Sequence, residues 1–174
     1  MQAIISRTYS DFPDELLKAT RSKCGLRRVD RFISMAVAAV KDAVTEPLKE
    51  ETALITVSSF GPHKTVFATL DDILDYPEDE ILPTKFSHSV HNAAASYIGN
   101  VLGINGPAFA ITGFENALQE GLSLAETLLA SSCAPNVLLV EIEENGLLTQ
   151  AAPRLYQDKF NNETEELVKV FLFA

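Results

Sequence analysis

Long hydrophobic runs are missing from this chain of 174 residues. No apolar stretch approaches the ~18 residues of a membrane-spanning helix, so no span is expected. Met1-Gln2-Ala3-Ile4-Ile5 passes directly into polar residues, which leaves no secretory h-region, and a cytoplasmic location is expected. Cysteine is scarce. Cys24 and Cys133 are too few for a disulfide framework and read as small, buried or half-buried hydrophobes. Positive charge is also short: 14 Lys and Arg stand against 24 Asp and Glu, a net charge of −10. Nucleic acid and anionic membrane both require a positive surface, so neither is an expected partner. A basic protein partner is compatible with this balance. There is no phosphate loop, dinucleotide fingerprint or Ser-His-Asp set. Nor is there an internal repeat, a low-complexity segment or a linker, so residues 1–174 are expected to form one domain.

What is present centres on Pro83 to Gly121. The spacing predicts a buried helix, a tight turn, a short apolar strand and a second buried helix. Ala93, Ala94, Ala95, Ser96 and Gly99 form a small-residue face that lets another backbone come close. Asn105-Gly106-Pro107 is a turn signal. Ala108-Phe109-Ala110-Ile111-Thr112 has the continuous apolar character of a strand covered on both faces. Gly113 breaks it, and Phe114 to Ser131 carries Leu118, Leu122, Ala125 and Leu129 at helical spacing.

The rest of the chain alternates in kind. Ala3 to Arg7 predicts a strand, Asp14 to Thr20 one or two helical turns, and Arg21 to Arg28 a basic loop. Asp30 reads as the cap of a helix whose apolar face runs from Phe32 to Ala43 and which ends before Pro47. Ala53 to Ser58 is a buried strand, followed by a glycine turn at Phe60-Gly61-Pro62-His63. Ligands of open α/β sheets gather beyond the carboxyl ends of strands, which makes this turn of interest. Val66 to Tyr76 predicts a helix, and Glu78-Asp79-Glu80 a solvated tip. Val137 to Ile142 is a strand, Glu143 to Gly146 a turn, Leu147 to Phe160 a loop, and Leu167 to Phe173 a last strand. Alternation of this kind implies a mostly parallel sheet with helices on both faces. No convincing helix separates the last two strands, so the final one is expected to run antiparallel.

Several of these segments resemble the N-terminal half of the thiolase-fold ketoacyl synthases, and more closely a short ketoacyl-synthase-like N-terminal domain family. The matching stretches are Leu26-Arg27-Arg28-Val29-Asp30-Arg31-Phe32, Val57-Ser58-Ser59-Phe60-Gly61 and Gly103-Ile104-Asn105-Gly106-Pro107. Asn136-Val137-Leu138-Leu139-Val140 matches too, and the most specific stretch runs from Pro83 to Ala95. The resemblance implies an α/β fold, half of a thiolase-like unit, with a five-stranded mixed sheet. It also implies that Ala108 to Thr112 pairs across a dimer axis, with Ala94, Ser96 and Gly99 as flanking contacts. Such pairing would cover an edge that otherwise invites aggregation.

The departures from the family bear on activity. In the synthases the third strand leads to a nucleophilic cysteine at a helix N-terminus, where the helix dipole and free N–H groups stabilise a thiolate. Here that place falls on Glu115, or on Phe114 with a one-residue gap. The catalytic histidines belong to a C-terminal half that lies beyond this chain. Cys133 precedes a strand, at the wrong end of its helix for a nucleophile. His88 and His91 are three apart and share a helical face in this reading, as two metal ligands would. No third ligand accompanies them at a recognised spacing, so capping or core hydrogen bonding is the expected role. No metal and no cofactor are expected.

The resemblance implies a non-catalytic subunit in a fatty-acid or polyketide-type pathway, such as those that make aryl polyene pigments. It would act as a heterodimer with a ketosynthase or as a homodimer. Arg27, Arg28 and Arg31 form the densest positive patch and are candidates for docking an acyl carrier. Phe60, His88, His91, Asn92 and Phe114 are candidates for an acyl pocket. Two alternatives stand beside this reading. One is a residual decarboxylase or transferase using Glu115 or a histidine on an acyl thioester. The other is a homodimeric acyl-binding protein.

Overall fold

A computed structural model describes residues 2–155 and 166–174; the side chains of residues 115 and 152–155 lie outside that description. The chain forms β1 (Ala3–Tyr9), α1 (Asp14–Lys23), α2 (Arg31–Ala43), β2 (Ala53–Ser58) and α3 (His63–Asp75). It continues with α4 (Pro83–Ser89), α5 (Ala93–Leu102), β3 (Ala108–Thr112), α6 (Ala117–Ala130), β4 (Val137–Glu143), α7 (Leu147–Leu155) and β5 (Leu167–Phe173). Short 3₁₀ turns cover Glu78–Glu80 and Phe114–Asn116.

The five strands make one sheet in the order β1-β5-β4-β2-β3. β3, β2 and β4 are parallel, with Ile55 facing Phe109 on one side and Leu139 on the other. β5 is antiparallel to both β4 and β1. Within the β4–β5 pair Glu141 stands opposite Lys169, and the two side chains meet at 2.7 Å. An opposed pair of this kind supports the register.

Side chains alternate across the sheet with the period of two that strands impose. Leu54, Leu138, Val140, Ile142, Val168 and Val170 face one layer, where they pack with α2 and α5. Ala53, Ile55, Val57, Val137 and Leu139 face the other and meet Ala117, Ala125 and Leu128 of α6. α2 is apolar on nearly every side and buried accordingly, with Ile33, Met35 and Ala36 shut off from solvent. Asp30 caps it, its Oδ1 accepting the Ile33 N–H at 2.9 Å. No helix among the described residues is long and apolar enough to cross a membrane.

The structure departs from the sequence reading at five places. α1 continues through Arg21 to Lys23, and the chain turns only at Gly25, whose φ is +65°. α3 starts at His63, three residues before the expected position, with its Lys64 N–H taken up by Glu144 Oε1 from elsewhere in the chain. The single helix expected after Pro83 is two, since Val90 takes extended backbone (φ −81°, ψ 143°) and separates α4 from α5. β3 is not covered on both faces. It is an edge strand, paired only with β2 among the described residues, and its side chains are exposed or half-buried. The expected loop from Leu147 begins as a helix, α7, held by Gln150 N–H donating to Gly146 O at 2.9 Å; residues 156–160 of that loop lie outside the described residues.

Candidate functional site

The carboxyl ends of β2 and β3 lie side by side, with Ser58 registered against Thr112. Beyond Ser58 the chain makes a tight turn. Gly61 N–H donates to Ser58 Oγ at 2.8 Å and His63 N–H to Gly61 O at 2.8 Å. Gly61 takes φ +64°, and the His91 imidazole lies so close that a side chain at 61 would collide with it. The gap left among Ser58, Gly61, His91 and Thr112 is about 10 Å³, no more than one water would occupy. His91 therefore closes the corner rather than opening a pocket.

Beyond Thr112 the chain passes Gly113 and enters the turn Phe114–Asn116 that leads into α6. Phe114 has φ +48°, a left-handed backbone that non-glycine residues rarely adopt. A strained residue between a strand and a helix is the geometry by which an elbow presents a side chain to solvent. Phe114 is 54% exposed, and its ring meets Phe60 edge-on at 5.8 Å. The benzyl group offers neither a nucleophile nor a proton. Glu115 lies on the same turn, with its side chain outside the described residues.

Both cysteines sit away from this corner. Cys133 is exposed in the loop after α6, and Cys24 is half-buried at the end of α1. The fourteen residues of α6 separate Cys133 from Phe114 by about 20 Å at 1.5 Å per residue.

A group of buried polar side chains underlies the β2 turn. Glu143 Oε1 accepts the Ser59 N–H at 2.6 Å. Glu144 Oε1 accepts the Lys64 N–H at 2.8 Å and lies 3.5 Å from His63 Nδ1. Burial raises the Glu144 carboxyl from its ordinary value to about 7, against the pull of the Lys64 N–H; nearby Asp30 raises it further. Burial lowers the His63 imidazole, so it is neutral. Its Nδ1 faces Gly61 O at 3.3 Å, while Nε2 is packed against Gly146 without a hydrogen-bond partner among the described residues. These acids escaped the sequence reading, in which Glu143-Glu144 formed a surface turn. The available signal was position: Glu143 ends the strongly apolar strand β4 and Glu144 directly follows it.

A cleft of about 600 Å³ opens on the far side of Glu144, lined by Arg28, Asp30, Lys64, Lys85 and His88 among others. Asp30 joins its walls, accepting Thr65 Oγ–H at 2.7 Å. Burial raises the Asp30 carboxyl despite that bond. Lys85 is paired with Asp72 at 2.6 Å.

The structure divides the predicted site residues. Phe60, His91 and Phe114 come together at the corner. His88 turns the other way, buried with Nε2 2.9 Å from Tyr97 Oη and lining the cleft. The break at Val90 thus removes the shared face expected of His88 and His91, and no metal-holding cluster of His, Cys, Asp or Glu occurs among the described residues. Asn92 is exposed at the start of α5 and makes no side-chain cap. The arginine patch is divided too. Arg27 and Arg28 are exposed, whereas Arg31 is held by Glu166, Asp14 and the Phe12 carbonyl. On the β3 side, Ser96 is exposed and Gly99 half-buried beside Ala108, but Ala94 is buried and cannot serve as a flanking contact.

Comparison with known proteins yields no match to a curated sequence. Solved structures do match. A chain of the ketosynthase (ApeO) in complex with its chain length factor (ApeC) from Xenorhabdus doucetiae aligns at TM-score 0.70 and 17% identity, over 99% of this chain and 78% of that one. The ishigamide ketosynthase/chain length factor aligns at TM-score 0.73 and 15% identity, over 91% and 47%. A beta-ketoacyl synthase from Burkholderia phymatum STM815 aligns at TM-score 0.67 and 15% identity, over 95% and 45%. This chain therefore spans just under half the length of the last two. Identities this low speak for the fold: the mixed five-stranded sheet is that of the N-terminal half of a thiolase-like ketosynthase. The sequence pattern of one family covers residues 23–166, most of the chain, and by that match the protein belongs to the family described as beta-ketoacyl synthase, N-terminal domain.

Proposed function

We propose that this chain is a non-catalytic ketosynthase-like subunit of a polyketide-type pathway, and that it pairs through β3 with a ketosynthase bearing the cysteine. The observation that carries this reading is the β3 edge. Five residues of strand, Ala108 to Thr112, are paired on one side only among the described residues and end at an elbow occupied by a phenylalanine. An open edge of this kind is completed by a strand from another chain. Phenylalanine forms no thioester, so the acyl chemistry belongs to the partner. The relatives include a ketosynthase in complex with its chain length factor, and the same partnership is proposed here. Phe114 and Phe60 then form an apolar wall where the two subunits meet, suited to bounding an acyl chain.

The test is co-purification from native extract with mass measurement of the complex. A one-to-one complex with a ketosynthase is expected, and Ala108→Glu on the exposed part of β3 is expected to dissociate it. Recovery of this chain alone as a dimer would overturn the heterodimer. Turnover of an acyl thioester by the isolated chain would overturn the non-catalytic assignment.

A further inference from the structure

Helix α3 carries its apolar side outward. Thr69 faces the protein body, buried, with its Oγ donating to Thr65 O at 2.7 Å. Thr65 is tied to Asp30, and Asp72 to Lys85. On the side turned away from the body Phe67, Leu70 and Leu74 share one helical face, with Ile73 on its flank. In that order they are 36%, 49%, 82% and 50% exposed. A surface helix ordinarily turns such a stripe to the core. Here the polar side is used for internal hydrogen bonds and ion pairs, and the apolar side is left for something else.

The surroundings of the stripe are acidic. Asp71, Asp75, Glu78, Asp79 and Glu80 are all exposed along α3 and the turn that follows it. A second copy would bring two such rims together in chains of net charge −10. An anionic bilayer or an acidic segment meets the same repulsion. The four apolar side chains expose on the order of 400 Å², an area that one docked helix covers.

We infer that the outward face of α3 docks a protein helix whose apolar stripe is flanked by lysine and arginine. Its leucine-like residues pack against Leu70 and Leu74 at the i, i+3, i+4, i+7 spacing of helix recognition, and its cations meet Asp71, Asp75 and the Glu78–Glu80 turn. This surface stands independently of any pairing through β3.

The probe is a fluorescent synthetic peptide of about five helical turns with one leucine stripe flanked by lysines, and a twin with glutamate at every lysine. Fluorescence anisotropy is read against the intact protein. The lysine peptide is expected to bind at least ~10-fold more tightly than its twin, and more weakly as salt is raised. Leu70→Ser with Leu74→Ser is expected to reduce that binding at least ~10-fold while leaving the thermal midpoint in place, since both side chains already face water. Asp71→Asn with Asp75→Asn is expected to flatten the salt dependence. Equal binding of the two peptides, or binding that ignores the leucine substitutions, overturns the proposal. So does self-association in sedimentation, or binding to phosphatidylglycerol vesicles, that the same substitutions abolish. Those outcomes assign the stripe to a second copy or to a membrane.

Discussion

The Glu144 carboxylate caps a helix from a different part of the chain, its Oε1 accepting the Lys64 N–H at 2.8 Å in the first turn of α3. The groups facing it are Asp30, Lys64, His63 and Glu166. Its pKa is raised from the ordinary 4.5 to about 7. The folded state thus holds a proton that the unfolded chain has lost, and stability falls as pH rises from about 4.5 to about 7. Above that range the cost of ionised Glu144 is constant, on the order of 3 kcal/mol. His63, with its pKa lowered, acts in the opposite sense: stability falls as pH drops below its unfolded value of about 6.5. Urea unfolding at a series of pH values separates the two. Glu144→Gln keeps an acceptor for Lys64 and is expected to raise stability at pH 8 while having little effect at pH 4. A variant that loses stability equally at both pH values would refute the raised pKa.

Gly146 is required by closeness. A Cβ there would collide with His63 Nε2 and lie 2.9 Å from Lys64 Cγ. His63 is buried among Phe60, Phe67 and Glu144 and has little room to retreat. Gly146→Ala is expected to cost about 1–3 kcal/mol by overpacking, read as a lower urea midpoint with unchanged slope. His63→Ala in the same chain is expected to recover part of that loss.

At Gly61 two penalties combine. The left-handed backbone costs an alanine about 1–2 kcal/mol, and its methyl would displace His91. A double-mutant cycle with His91→Ala isolates the second term. Gly61→Ala is expected to be milder when His91 is already gone. Additive losses would mean that His91 does not rest on Gly61.

Arg31 ties the segment before α1 to the start of β5. Its guanidinium reaches Glu166 through two bonds of 2.6 and 2.7 Å, Asp14 at 2.7 Å and the Phe12 carbonyl at 2.8 Å. The side chain is one-third exposed, so solvent screens part of this. Arg31→Ala is expected to lower stability by about 1–2 kcal/mol. Arg31→Lys is expected to recover less than half, since an ammonium cannot bond in parallel to both Glu166 oxygens. Full recovery by lysine would mean that charge alone matters at this position.

Much of the fold was legible because it depends on local patterns. Ala53–Ser58, Val137–Ile142 and Leu167–Phe173 are apolar runs that read as strands without reference to anything else, and Asp30 announces its helix through a cap three residues away. The expected antiparallel direction of β5 holds, but its ground does not, since α7 lies between β4 and β5. α7 went unread because its apolar pattern is short and its first turn depends on Thr149 and Gly146.

The site was less legible, for a physical reason. Burial of Glu143 and Glu144, and partial burial of Asp30, follow from strands and helices distant in sequence closing over them, and no window of neighbouring residues records that. The early start of α3 follows from Glu144, eighty residues away. The division of His88 from His91 follows from the extended backbone at Val90. What the sequence determined by itself is all five strands, most of the helices, their order and the family likeness, because periodicity, caps and turn residues act over a few positions. Tertiary structure alone decided that the side chains of β3 stay exposed or half-buried, that α3 turns its apolar side outward and that the acids beneath the β2 turn are buried. Each of those depends on which surfaces meet once the chain has closed.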